Sequence, residues 1–282
     1  MEALEKQSSS GYGKPPWIFK GSALYQLHLV KAEKARACIP KEFKLVEAFG
    51  YTVGGFFLAS YEDSPVGVFD ELVVIAGLVW NRPTSCAWAT KVYVNNSEAC
   101  SHGRKDVGLP SQVATFSKTI TAVSRQSKSR SGFLNTMQFG SAFRNSNDQQ
   151  NVQITKIKSL DAADTCDTSL TSPAVSSSRW MGPTIRMSLP SFSGGTEFNP
   201  NLLKYSCQIE CRVKPVKPLK VSREFSLTNV DDKEQQSLQD CVMLSKPILA
   251  LRFSQMKMQV EAPIVLYQCS NSLETTTVSS LP

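Results

Sequence analysis

The stretches of this chain that can be buried are short, numerous and patterned with the period of a strand. "SALYQLHLV" alternates apolar and polar residues, and "ELVVIAGLVW", "SCAWATKVYV", "NVQITKIKSL" and "CQIECRV" continue the series, with further strands on either side of the glycines in "FKLVEAFGYTVGGFFLASYED". Side chains on a strand alternate between faces, so such runs specify sheet wherever one face is buried. Helical segments are few. "KAEKARACI" is rich in helix formers until Pro40 stops it, which predicts about three turns, and "SEACSHGRKDVG" predicts a short helix capped by Ser97 that ends near Gly103 or Gly108. No βαβ rhythm, internal repeat or linker appears. The chain is therefore expected to be mainly β with a few short helices, a closed or sandwiched antiparallel barrel. Its 282 residues, 41% of them hydrophobic, suffice for one well-buried core.

That domain is expected over 15–268. Residues 1–14 carry Ser, Gly and charge with little to bury and are expected to be disordered. A polar, loop-rich middle is expected at about 122–178, a polar excursion at about 222–240, and a loose Ser/Thr-rich tail at 269–282.

Composition excludes several function classes. The net charge of +7 is scattered, and its densest groups, "RQSKSR" and "RVKPVKPLKVSR", lack the interleaved aromatics of a nucleic-acid reader. "DELVVIAGLVW", the longest apolar run, is too short for a membrane span, which needs roughly 18 residues or more. The N-terminus shows neither an apolar signal core nor an Arg-rich transit segment, so the eight cysteines read as reduced thiols of an intracellular protein. Cys207 and Cys211 lie four apart with no second pair or histidine at zinc spacing, which argues against a metal site; on a strand they share one inward face. No nucleotide or cofactor motif appears, and no cofactor is expected.

Two places could carry chemistry. Glu71 heads the apolar strand "ELVVIAGLVW", where burial would raise its pKa toward the range useful for acid–base work; a solvated strand-end carboxylate is the plain alternative. The loop "GRKDVGLPSQVATF", Gly103 to Phe116, places Arg104 and Lys105 between glycines and ahead of Pro110. Arg104 could clamp an oxygen through its planar fork and Lys105 could act as an amine if desolvated, against the alternative of solvated charges on a turn. Of the two histidines, His28 sits on an alternating strand and reads as structural, whereas His102 adjoins the loop.

The loop proline and "WMGPT" resemble the acetoacetate decarboxylase superfamily over roughly 15–116 and 179–218. That resemblance implies a β-barrel core around an apolar cavity, with a Schiff-base lysine just after the proline and a second lysine that depresses its pKa. A closer resemblance, over nearly the whole chain, is to the plant neoxanthin-deficient proteins: "LYQLHLVKAEKAR", "GGFFLASYEDSP", "FDELVVIAGLVWN", "GRKDVGLPSQVA", "WMGPTI" and "NPNLLKYSC" are long and specific. It implies a requirement for converting violaxanthin to neoxanthin, an allenic xanthophyll, without carrying out that step alone.

Laid on the decarboxylase pattern, the lysine positions fall on Ser111 and Gln112, the pocket glutamate on Glu71, a second glutamate on Phe56, and the pocket arginine near Gly21 or Ser22. Both amines are absent, so imine chemistry is lost and the cavity becomes more apolar. Phe56, His102, Arg104, Pro110, Gln112 and Trp180 are then candidate ligand contacts. Two readings follow from the resemblance. One is an accessory factor binding a xanthophyll or other isoprenoid, acting beside a partner enzyme and able to form homo-oligomers. The other is an epoxide-opening enzyme with Glu71 as base, Lys105 or His102 as acid, and Ser111 holding the oxygen. A plastid location is implied only by the pathway.

Overall fold

A computed structural model describes residues 11–124, 149–160, 167–172, 180–223 and 238–267. Most of the polar middle, the polar excursion and the C-terminal tail lie outside the described residues. The elements are β1 (Trp17–Lys31), α1 (Ala32–Ala37), β2 (Tyr51–Asp63), β3 (Phe69–Asn81), β4 (Thr84–Val94), α2 (Ser97–Lys105), β5 (Ser111–Ser124), β6 (Gln149–Ser159), β7 (Asp167–Thr171), β8 (Thr184–Gly194), β9 (Leu202–Val216), β10 (Lys220–Arg223), α3 (Leu238–Met243), β11 (Lys246–Val260) and β12 (Ile264–Tyr267).

Seven strands close a barrel in the order β1-β2-β3-β4-β8-β9-β11 and back to β1. All of these pairings are antiparallel except β4 with β8, which run parallel through Ala87↔Ser191 and Trp88↔Phe192. A second parallel pairing joins β4 to β5 through Val92↔Ser111. Parallel neighbours need a crossover, and here the crossover is α2. The chain thus contains a β-α-β step where the sequence suggested none, because a helix of nine residues is too short to set a visible rhythm.

From β5 the sheet continues outward through β6, β7 and β10. This extension folds over the barrel's outer wall. Ala114, Ile157 and Leu170 share one core with Leu24, Phe56, Leu72 and Val74, while Phe19, Phe57, Tyr61, Phe69, Phe253 and Met258 form another core inside the barrel. Two layers on either side of one wall explain the continuous apolar run of β3. Leu72, Val74 and Ala76 face the outer core, and Glu71, Val73 and Ile75 face the interior. A strand buried on both faces has no polar side to show.

Glycine permits close approach at one corner. A Cβ on Gly55, at φ +134°, would lie 2.0 Å from the Gln26 carbonyl oxygen of β1. The helices are shorter than their composition suggests. α1 spans six residues rather than three turns, because Cys38 already caps it ahead of Pro40. On α2 the N-cap is Asn96, whose side chain accepts from Ala99 N at 2.9 Å, rather than Ser97. His28 is a structural residue. It is buried, with Nδ1 3.0 Å from the Val242 carbonyl and Nε2 2.9 Å from the Gln26 amide, tying β1 to α3. An amide N–H at Nε2 leaves that nitrogen the acceptor and Nδ1 the donor, a neutral ring, in keeping with the lowered pKa that burial gives it.

Candidate functional site

One end of the barrel interior holds a cavity of about 120 Å³. Its wall is built by strand periodicity. β2 turns Phe57 and Tyr61 inward, β3 turns Glu71, Val73 and Ile75 inward, β9 turns Tyr205, Cys207 and Ile209 inward, and β11 adds Met258 and Val260. The rim is α2 and the loop after it, which bring His102, Gly103, Val107, Leu109 and Ser111. Helix and strand are in direct contact there: a Cβ on Gly103 would lie 2.6 Å from Ser111 Oγ.

Among the described residues, Glu71 is the only carboxylate, lysine or arginine lining this space. Tyr61 Oη donates to its Oε2 at 2.7 Å. Burial among Phe57, Phe69 and Ile75 pushes its carboxyl up to about 6, and the Tyr61 bond holds it back from rising further. The neighbouring acids stay protonated. Burial first and Glu71 second push the Cys207 thiol up to about 12, and burial raises the Tyr61 and Tyr205 phenols as well. The site therefore presents one carboxyl poised near neutrality, several neutral hydrogen-bond donors, and aromatic and aliphatic walls.

The mouth is closed by a segment that the sequence reading placed outside the fold. Tyr12 stacks on the His102 ring, centroids 3.7 Å apart and planes 10° apart, and Trp17 meets the same ring edge-on at 4.4 Å. The segment is fastened at both ends: Gly11 N–H donates to the Glu98 carboxylate of α2, and Trp17 Nε1 donates to the Gly13 carbonyl at 2.8 Å. Of the stretch expected to be disordered, residues 1–10 lie outside the described residues, and within Gly11–Lys14 it is Tyr12 that lines the cavity. Ser, Gly and charge hid this, because a single aromatic supplies the contact.

The sequence candidates separate into two groups. Glu71, His102 and Ser111 come together in the cavity. His102 is held on its outer side by Asp106, Nδ1 to Oδ2 at 2.8 Å, and burial lowers its pKa despite that bond. The other candidates lie elsewhere. Phe56, 0% exposed, points into the outer core against His28, and its neighbour Phe57 lines the cavity instead. A one-residue offset on a strand reverses the face. Lys105 ends α2, is exposed and does not line the cavity, and its backbone carbonyl accepts from Asn199 Nδ2 at 2.9 Å. Arg104 holds the rim instead of a ligand: its Nε donates to the Ser111 carbonyl at 2.7 Å and its guanidinium lies over Phe198 at 4.4 Å. Pro110 borders a separate groove with Trp88 and Gly194. Gln112 alternates away from Ser111, and its buried Oε1 has no hydrogen-bond partner among the described residues. Trp180 is 62% exposed and outside the cavity. Tyr61, Tyr205 and Tyr12 were missed. For Tyr61 the signal was available, since it shares strand parity with Phe57 and stands beside the β2–β3 pair Ala59↔Glu71.

No family model matches the chain. It is 58% identical over 279 residues to Protein NEOXANTHIN-DEFICIENT 1 of Arabidopsis thaliana, covering 95% of this chain and 99% of that one. It is 57% identical over 293 residues to the protein of the same name from Solanum lycopersicum, covering 96% and 99%. Among solved structures it is similar to an acetoacetate decarboxylase, with a TM-score of 0.57 at 10% identity over 94% of this chain and 95% of that one. It is also similar to the enduracididine biosynthesis enzyme MppR, at 0.54 and 13% over 92% and 90%. At such identities the likeness is one of fold: the barrel is acetoacetate decarboxylase-like.

Proposed function

The chain belongs to the plant neoxanthin-deficient protein family, and from that membership and the cavity's chemistry we propose that it serves neoxanthin formation by holding a neutral, apolar ligand, the end group of a xanthophyll, inside the barrel. The observation that carries the reading is the charge balance of the lining. Glu71 stands there with no lysine or arginine among the described lining residues. A keto-acid carboxylate would meet a like charge and no cation, and imine formation would find no amine. A ligand with a greasy ring and one hydroxyl or epoxide oxygen meets apolar walls and a donor–acceptor pair, Tyr61 and Glu71, able to fix its orientation.

Size sets a condition on binding. A cavity of about 120 Å³ accepts little more than a bare ring. A methylated, oxygenated six-membered ring with its polyene needs the place of the Tyr12 ring, so ligand uptake requires Gly11–Trp17 to withdraw from His102. The barrel then acts as a holder that presents one end group to a partner enzyme.

A second reading is favoured by one observation, the Glu71 carboxyl at about 6, which suits a general base at neutral pH. In that reading Glu71 takes the vinylic proton, the C–H electron pair forms the second allene double bond as the epoxide C–O bond breaks, and His102 gives the released oxygen the proton that makes it a hydroxyl while Ser111 holds it. One experiment separates the two. Glu71→Gln is expressed in a plant line lacking this protein, with abundance checked by immunoblot. The holder reading expects neoxanthin to return, because the amide keeps shape and hydrogen bonding. Normal accumulation of the variant without neoxanthin would favour the enzyme. Purified wild-type protein showing no affinity for any xanthophyll would remove the holder reading.

A further inference from the structure

We propose that the Lys41–Gly50 segment, together with Trp80 and Arg82, docks the protein on an anionic lipid bilayer, with Phe49 inserted below the headgroups. Phe49 is 101% exposed, so its ring touches nothing of its own chain. It also sits where the backbone least favours it. Ala48 and Tyr51 exchange both backbone hydrogen bonds at 2.9 Å, enclosing a two-residue turn of Phe49 at φ 51° and Gly50 at φ 77°. Positive φ at both positions is the turn that Asn-Gly suits, and a bulky residue there is strained. The turn is also rigid, because Ala32 N at the start of α1 donates to the Gly50 carbonyl at 2.8 Å. Phe49 therefore contributes neither packing nor conformational ease to the fold. A rigid, fully exposed ring in a strained turn has its use outside the molecule.

The surroundings say what that use is. The same segment forms one wall of an open groove of about 500 Å³ lined by Arg36, Lys41, Phe43, Lys44, Glu47 and Trp80. Trp80 is 41% exposed, and the Arg82 guanidinium lies 5.9 Å from its ring. Across 31–51 and Arg82 the cations are Lys31, Lys34, Arg36, Lys41, Lys44 and Arg82, against the acids Glu33, Glu42 and Glu47. Two of the acids are already matched, Glu33 to Lys31 and Glu47 to Arg36. A cationic surplus beside half-exposed Trp and a protruding Phe is the pattern of an interfacial anchor: cations meet anionic headgroups, Trp sits at their level, and Phe reaches the acyl boundary. A single protruding ring covers far less than the roughly 800 Å² that each partner of a stable protein pair buries. The docking is independent of what the barrel holds, although a ligand dissolved in lipid is one that only a membrane-bound protein can collect.

The test is co-sedimentation of the purified full chain with vesicles of phosphatidylcholine alone and of phosphatidylcholine with about one-third phosphatidylglycerol. Wild type is expected to pellet with the anionic vesicles, and added salt is expected to release it. Phe49→Asn suits the positive φ and keeps the fold, checked by its melting temperature, and should lower vesicle affinity roughly tenfold. Lys41→Glu with Lys44→Glu should lower it at least about tenfold and remove most of the salt dependence. The proposal is overturned if wild type stays in the supernatant with anionic vesicles, or if Phe49→Asn binds as wild type does. It is equally overturned if lipid-free wild type is a dimer that Phe49→Asn converts to a monomer, since the ring then meets a second copy.

Discussion

Replacing Glu71 by Gln should stabilise the barrel, and more at neutral pH than in acid. The native carboxyl is raised from 4.5 to about 6 by burial, so the folded state holds this proton more tightly than the unfolded chain does. The sign follows from linkage. Below the unfolded value both states are protonated and the contribution is fully present. As pH rises from 4.5 toward 6 the unfolded chain loses its proton first and stability falls. Above that window both states are ionised, and the buried charge costs about 2 kcal/mol. Between pH 4.5 and 7.5 roughly 1.6 kcal/mol of that difference is expressed. The amide cannot ionise, so the variant escapes the loss while still accepting the Tyr61 hydrogen bond. At about 2–4 °C per kcal/mol for a chain of this class, the variant's gain in Tm over wild type should be wider by about 3–6 °C at pH 7.5 than at pH 4.5. Scanning calorimetry on both proteins at both pH values measures it, and every other titrating group cancels in the difference. A gap of equal size at the two pH values, or a larger one in acid, would refute the reasoning, because Glu71 would then be as well solvated as in the unfolded chain.

Three further outcomes are expected. Tyr61→Phe removes the bond that holds the Glu71 carboxyl down, so its pKa should rise further, read by carbon NMR of the labelled carboxyl; a fall would contradict the assigned donor. Tyr12→Ala opens the mouth over His102, so β-ionone, a ring the size of a xanthophyll end group, should bind at least about tenfold more tightly than to wild type, followed by quenching of tryptophan fluorescence. If neither protein binds, the holder reading fails; if both bind alike, only the role of Tyr12 does. Ser111→Lys places an amine among apolar side chains, where burial lowers its pKa. Borohydride should then trap acetone, a small neutral ketone, on the variant as a mass increase absent from wild type, and an unmodified variant of normal Tm would contradict a side chain at position 111 that faces the cavity.

The architecture was legible because strand periodicity survives in the sequence. Strand patterning located β1, β2, β3, β4 and β9 of the barrel but not β8, and the inward parity of Cys207 and Cys211 holds in the structure, with Cys211 buried and Cys207 in the cavity wall. Parity also set the limit of the reading. On β2 a choice between two adjacent phenylalanines decides between cavity and outer core, and the residues around them do not reveal which face is which, since "GGFFLA" is apolar on both. The loop candidates divide for another reason: Ser111 lines the cavity and Lys105 does not. A helix end and a turn bring Arg104, Lys105 and Ser111 close in sequence, but α2 turns Gly103 and His102 inward and leaves Lys105 exposed, while Arg104 is consumed by the Ser111 carbonyl. Tyr12 was beyond reach, because its contact with His102 spans most of a hundred residues and only the fold brings the two together.

The polar groups of the cavity answer to a single charge, and this bears on what the barrel can do. Burial and Glu71 together keep the Tyr12, Tyr61 and Tyr205 phenols and the Cys207 thiol protonated. Every one of them is therefore a donor at neutral pH, and Glu71 is the carboxylate acceptor beside them, with His102 the other titratable group among the described residues of the lining. A ligand oxygen arriving in the cavity competes for Tyr61 with Glu71. If it takes the hydrogen bond, the carboxyl loses the contact that restrained its pKa and moves toward protonation. Binding and proton uptake are then coupled, so a neutral oxygen ligand should bind more tightly just below pH 6 than well above it. A carboxylate ligand would need the same proton merely to enter. The same coupling gives the enzyme reading its difficulty: a base that becomes protonated as its substrate docks has lost the lone pair it needs. The proposed holding role asks no further change of this arrangement of one carboxyl and several donors, and the enzyme reading does.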